Sequence, residues 1–261
     1  MESLLVERSG GVVTCTLNRP EKKNAITSEM WVGLIDLFET VATNPDDRVL
    51  VITGAGDGFC SGADLSGGGT AEAASGVGGA LAGMRTVGQC AMALHDLGKP
   101  TIAAVNGVAA GAGLNLALGC DLVIASDRAR FSEIFSKRGL VVDFGGSWVL
   151  PRLIGMHRAK ELVLLADVID AAEAERVGLV NRVVVHEKLG DAVGEIALRL
   201  ANMAPLALAA SKRLLNQAFS VSLAEAIEAE NIAQALMSTT GDTREAILAF
   251  FEKREPKFTG S

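Results

Sequence analysis

One carboxylate stands alone near the middle of the chain. Asp143 lies in GLVVDFGG, residues 139–146, with no other charge between Arg138 and Arg152. A carboxylate in so apolar a stretch is costly to bury unless it is paired, caps a helix or takes part in chemistry. As a cap it would precede a helix starting near Gly145 or Gly146. As a catalytic group it would gain basicity from its surround of Val141, Val142 and Phe144, which should raise its pKa. Two glycine-rich stretches offer a different chemistry. VITGAGDGFCSGADL at 51–65 and AAVNGVAAGAGLNLALGCD at 103–121 each follow an apolar run. Glycine lets a backbone approach a ligand closely. A loop that enters a helix also leaves N–H groups free to favour negative charge. The second stretch enters a helix, so the N–H groups near Ala112 are natural donors to an oxyanion. Tight packing of small residues between strand and helix is the structural alternative.

Several other chemistries lack their residues. GAGDGF at 54–59 and GAGLNL at 111–116 both miss the third glycine of a dinucleotide loop. GxxxxGK[ST] and GxSxG are absent, so neither a P-loop nor a nucleophile elbow is present. Cys15, Cys60, Cys90 and Cys120 are isolated, and His95, His157 and His186 are scattered, so no metal site is expected. The cysteines read as free core or surface thiols in a reducing cytosol.

These groups need a frame. Residues 12–17 (VVTCTL) alternate as a strand. A polar loop with Pro20 follows, then Met30, Trp31, Leu34, Leu37, Phe38 and Val41 recur at helical spacing, with Thr27 or Ser28 as N-cap. Residues 48–53 read as a short apolar strand of the buried, parallel kind, 54–65 as a loop, 101–105 as the next strand, 111–118 as a helix and 122–125 as another strand. Alternating strands and helices imply an α/β core with right-handed crossovers. Residues 66–83 are rich in Gly, Ala and Ser, which suits a mobile lid and equally a tolerated insertion. Past Pro151 one short strand near 179–185 is expected and helices dominate. Ser222 with Glu225 makes a capping box, and Asp242 with Glu245 a similar start. The division expected is a core over 1–195 and a helical part over 196–261.

With 261 residues, 49% hydrophobic, the chain can bury a substantial core. A net charge of −7 and a lack of tyrosine argue against nucleic acid as partner. The N-terminal MESLLVERSGG carries Glu2 and Glu7 and no long apolar run, so no signal peptide is expected and the location is read as cytoplasmic. From Pro100 to Cys120 no residue is charged, a length that could span a bilayer. Asn106, Asn115 and four glycines within it favour a buried strand and helix, so no membrane partner is expected.

NRPEKKNAIT at 18–27, GDGFCSGADL at 56–65, residues 103–131, GGSWVLPRLIG at 145–155 and AAEAERVGLVNRVV at 171–184 together resemble the crotonase superfamily of enoyl-CoA hydratases, enoyl-CoA isomerases and relatives. The resemblance runs from the first strand to FFEKREPKF near the end. It implies a spiral of ββα units with a helical C-terminal trimerisation part, assembled as a homotrimer or a dimer of trimers. It implies an acyl-CoA thioester as ligand, with no cofactor beyond the CoA moiety of that substrate. The thioester oxygen would be held by the backbone N–H groups of Ala63 and Ala112, donors typically worth ~10²–10³ in rate each. Lys22, Lys23 and Asn24 would line the adenosine and phosphate region, and Asp64 and Leu65 the adenine and pantetheine path. Ser61, Gly62, Gly111 and Gly113 flank the two donors and are expected to touch substrate.

The chain departs from the hydratases, whose two glutamates fall at the positions of Asn115 and Phe135. Phe135 is therefore expected to line the substrate pocket. Glu133, two residues before Phe135, is either a substitute acid on the same strand face or a surface or salt-bridged glutamate. DFGGSWVLPR at 143–152 resembles the single-aspartate enoyl-CoA isomerases, and for these one carboxylate, Asp143, can be base and then acid. Enoyl-CoA double-bond isomerisation is the leading expectation. A hydratase with a rearranged acid and a non-catalytic acyl-CoA-binding relative are the alternatives. In some relatives an aspartate nearby is a nucleophile on aryl-CoA esters. In naphthoate synthases one assists ring closure, with a tyrosine that this chain lacks.

Overall fold

A computed structural model of the chain describes residues 3–65 and 76–261. Among these residues ten strands form two sheets. The strands are β1 (Leu4–Ser9), β2 (Val12–Leu17), β3 (Val49–Gly54), β4 (Gly58–Cys60), β5 (Thr101–Val105), β6 (Val108–Ala110), β7 (Leu122–Ser126), β8 (Arg130–Ser132), β9 (Ile169–Asp170) and β10 (Arg182–Val184). The larger sheet has the order β1-β2-β3-β5-β7-β10 and the smaller β4-β6-β8-β9. The β1–β2 pair is antiparallel, and from β2 to β10 the larger sheet is parallel. Successive strand pairs β3–β4, β5–β6 and β7–β8 each give one strand to the large sheet and the next to the small one. This is the spiral of repeated units that the resemblance implies.

The sequence pattern explains the packing. Leu50, Ile52, Ala103 and Val105 face the main core, while Val49, Val51, Ile102 and Ala104 face a second cluster under the helix α6 (Leu189–Ala201). A sheet covered on both faces needs continuous apolar strands, as in RVLVIT and TIAAV. The helix α1 (Ser28–Thr43) starts at Thr27, whose hydroxyl accepts from Met30 N, and buries the six apolar residues expected of it. The helix α6 crosses residue 195, and Val193, Ala197 and Ala201 seal the sheet. The cysteines are all free and buried, and burial pushes each thiol up to about 12, so they are unreactive core side chains and none is a surface thiol.

Several elements differ from expectation. The 51–65 stretch contains β4, and 103–121 contains β6 between β5 and the helix α3 (Ala112–Leu118). Glycine lowers strand propensity, yet here small residues let two sheets approach. Residues 76–83, expected in a loop, open the helix α2 (Gly76–Asp96); the remainder of that expectation, 66–75, lies outside the described residues. The Asp242 start is replaced by Thr240, which caps the helix. Asp242 is buried and accepts from Thr259 N and Gly260 N. A further strand, β1, precedes the expected first strand and pairs with β2.

The helix α4 (Gly146–Leu165) is broken at Gly155, and the short α5 (Ala171–Arg176) leads to β10. After α6 come α7 (Pro205–Gln217), α8 (Leu223–Met237) and α9 (Gly241–Glu252), with the expected Ser222–Glu225 box on α8. Leu223, Ile227, Leu236, Phe250 and Phe251 on α8 and α9 stay exposed. Among the described residues no single helix is long and apolar enough to cross a membrane.

Candidate active site

The two glycine loops meet. Ile26 N donates to Gly62 O and Asp64 N donates to Ile26 O, both at 2.8 Å. In that parallel bridge the N–H of the intervening Ala63 points away from Ile26. Across from it, Gly111 N donates to Ser132 O at 2.9 Å and α3 begins at Ala112. A first-turn N–H has no acceptor within its own helix. The loops are in contact, since a Cβ on Gly62 would lie 3.0 Å from Ala110 O and 3.7 Å from Ala112 N. Gly62 itself has φ +103°, a conformation that glycine accepts without strain.

The structure reassigns some neighbours. Gly113, expected at the substrate, faces Cys60: a Cβ there would lie 2.4 Å from Cys60 O. Its missing side chain seats α3 on β4. Asn24, expected on the nucleotide path, is 0% exposed. Its Oδ1 accepts from Arg19 N and its Nδ2 donates to Ala55 O and Gly58 O, so it braces two loops. Ser61 spends its hydroxyl on Lys22 O at 3.1 Å. Asp64 pairs with Arg19 at 2.7 Å and Lys23 with Asp57 at 2.5 Å. Lys22 and Leu65 are exposed beside them. Phe135 is buried, its ring 3.5 Å from where a Gly111 Cβ would stand, so it walls the second loop.

Asp143 is not a helix cap. Gly145 takes that position with no side-chain bond, and what Gly146 N meets is the main-chain oxygen of Asp143 at 2.9 Å. The carboxylate keeps one buried oxygen, Oδ1, without a partner. Burial pushes its pKa up to about 6. Val141, expected in the apolar surround, instead points outward and is 84% exposed; Phe144 is buried and packs at 5.4 Å against the Trp31 ring.

Glu133 is neither at the surface nor salt-bridged. It is 0% exposed, and Asn115 Nδ2 donates to its Oε2 at 3.4 Å. Burial, with a smaller contribution from the Asp143 charge and against the Asn115 bond, pushes it up to about 8. Glu133 lies just past β8, which ends at Ser132, and Ile134–Arg138 form a 3-10 turn, so Glu133 and Phe135 do not share the strand face expected of them. The burial of Asn115 is legible in the uncharged 100–120 run, but not its contact: its Nδ2 also donates to the Asp143 main-chain oxygen at 3.0 Å.

The two glycine loops, one carrying Ala63 and the other entering α3 at Ala112, thus lie together, and the same part of the fold holds the buried Glu133 and the half-buried Asp143. Burial raises the pKa of both acids, that of Glu133 further than that of Asp143, and two carboxyl groups of unequal acidity can move protons next to a developing oxyanion. A family model described as enoyl-CoA hydratase/isomerase matches residues 7–261. The chain is 40% identical over 260 residues to the 1,2-epoxyphenylacetyl-CoA isomerase of Escherichia coli K12, covering 100% of this chain and 99% of that protein. It is 36% identical to the crotonyl-CoA hydratase of Syntrophomonas wolfei, covering 98% of each. The crystal structure of an enoyl-CoA hydratase from Bacillus anthracis superposes with a TM-score of 0.93 at 31% identity, covering 100% of both chains.

Proposed function

The chain belongs to the enoyl-CoA hydratase/isomerase family, and from that premise we propose that it moves the double bond of an enoyl-CoA thioester. The thioester oxygen sits between the N–H groups of Ala63 and Ala112. Asp143 takes a proton from the carbon beside the thioester, the charge passes to that oxygen, and Asp143 returns the proton two carbons further on. The proton lost is the proton regained, so no water or redox partner enters the balance. The observation that carries this reading is the carboxylate of Asp143, which caps nothing and keeps a buried, partnerless oxygen. Asn115 and Phe135 occupy the two positions where the resemblance places hydratase glutamates. Lys22 and Lys23, exposed near the first loop, suit the phosphates of CoA. The free thiols fit a cytoplasmic setting.

A second reading, hydration, has its own support. Glu133 keeps its proton to about pH 8 while Asp143 ionises near 6, which gives an acid and a base in one site. Two substrates separate the readings. A 3-enoyl-CoA should gain conjugated thioester absorbance, and a trans-2-enoyl-CoA should hold its own. Rapid loss of absorbance from the latter would establish hydration instead. No change in either would move the search to an aryl or epoxide substrate of the kind named for the Escherichia coli relative.

A homotrimer, or a dimer of trimers, is part of the same proposal. It would cover the apolar residues left exposed on α8 and α9, since patches of that kind mark association surfaces. Sedimentation at micromolar concentration should show three or six copies, and a stable monomer would remove this part of the proposal.

A further inference from the structure

We propose that Asn115, locked by Glu133, is the positioning residue that holds the Asp143 loop in register with the two backbone donors. The inference rests on the reading of Asp143 as the acid–base group. Its grounds are geometric. Asn115 is 2% exposed on α3, the helix whose first N–H is the Ala112 donor. Its Nδ2 reaches Asp143 O at 3.0 Å and Glu133 Oε2 at 3.4 Å. One amide therefore ties the oxyanion helix, the end of β8 and the Asp143 loop together. Gly146 closes the contact, because a Cβ there would lie 2.5 Å from the Asn115 amide.

The loop needs such a tie. Phe144 has φ +50°, a left-handed backbone that a bulky residue adopts only under outside restraint. The Asp143 carboxylate has no hydrogen bond at Oδ1 to orient it. Its main chain, held by Asn115 Nδ2 and Gly146 N, does the orienting. Glu133 serves as a neutral acid. Among the described residues, Asp143 is the charged group that acts on it. Asn115 faces it from α3 with an uncharged amide. Lys137, on its own segment, turns to Asp167 and Ala166 O, and Arg138 is exposed. On the neighbouring β9, Asp170 caps α5. With no cation to hold its charge, burial keeps it protonated up to about pH 8.

The test compares Asn115→Ala, Glu133→Ala and Glu133→Gln by isomerase kinetics and by Trp31 fluorescence. Trp31 packs on Phe144, and Trp148→Phe leaves it as the sole tryptophan. Asn115→Ala and Glu133→Ala should lower kcat about 10- to 100-fold, with KM within about threefold, and shift Trp31 emission. Glu133→Gln, the neutral isostere, should recover most of kcat and the native emission. It should also leave the acid limb of kcat/KM near pH 6. An acid limb that moves to lower pH in Glu133→Gln would mean that Glu133 is ionised in the working enzyme, which overturns its neutral role. Glu133→Gln as impaired as Glu133→Ala would make Glu133 a proton donor and overturn positioning. Unchanged kcat and emission in Asn115→Ala would overturn the clamp. If Asn115→Ala does not fold, the two Glu133 variants decide. If Asp143→Asn stays active, the reading of Asp143 falls, and Trp31 emission still judges the clamp independently.

Discussion

Asp143→Asn is expected to lose ~10²–10⁴ in kcat for isomerisation while becoming more stable at neutral pH. The two effects have one cause. Asparagine keeps the volume of the side chain and the main-chain oxygen that meets Asn115 and Gly146. It removes the base. It also removes a carboxylate that burial penalises, raising its pKa from an ordinary 3.8 to about 6. The folded state holds that proton more tightly than the unfolded chain does. The native protein therefore loses stability as pH rises from about 4 to about 6, and the loss is complete above that. At about 1.4 kcal/mol per pH unit, the variant should recover up to roughly 3 kcal/mol at pH 7. Denaturant unfolding at pH 5 and pH 7 with parallel kinetics checks both. Activity falling as stability rises marks a residue kept for function at the expense of the fold. A structural aspartate would lose stability on replacement, and an unchanged rate would remove Asp143 from the mechanism. In the wild type, kcat/KM should fall on the acid side with a midpoint near 6.

Gly113→Ala should be nearly as damaging, by a different route. The added methyl would lie 2.4 Å from Cys60 O, 2.6 Å from Cys60 Sγ and 2.7 Å from Cys60 Cβ. The first of these is backbone of β4, so rotamer changes alone cannot relieve it, and Cys60 is itself fully buried. Overpacking of this kind costs about 1–3 kcal/mol or more. The relief available is a shift of the first turn of α3, which carries the Ala112 N–H. Loss of one oxyanion donor typically costs ~10²–10³ in kcat. Activity normalised to the folded fraction, measured by circular dichroism, should fall by about that factor. Gly194→Ala, on α6 with nothing within 4 Å of the new methyl, is the control and should be neutral or slightly stabilising. A fully active Gly113→Ala would show that Ala112 does not depend on the contact with β4.

Strands and helices with strong local periodicity are legible in the amino-acid sequence. In α1 the spacing of Met30, Trp31, Leu34, Leu37, Phe38 and Val41 and the Thr27 cap are both realised. β4 and β6 carry no such signal, because each is three residues long and sits among glycines. Their strand character comes from the partner strand and not from their own side chains. The start of α2 is hidden for a similar reason, since Gly and Ala there carry little periodic signal.

The site divides along the same line. Residue types and order alone single out Asp143, the loops bearing Ala63 and Ala112, and the family pattern, because a lone carboxylate and glycine-rich strand–helix junctions are local features. The tertiary structure decides that Asn24 braces loops, that Gly113 seats a helix, that Asp143 caps nothing, and that Glu133 is buried beside Asn115. Each of these depends on atoms distant in the chain. Burial and hydrogen bonding, and the acidity they set, are properties of surroundings that only the packing of α3, β8 and the 139–146 loop brings together.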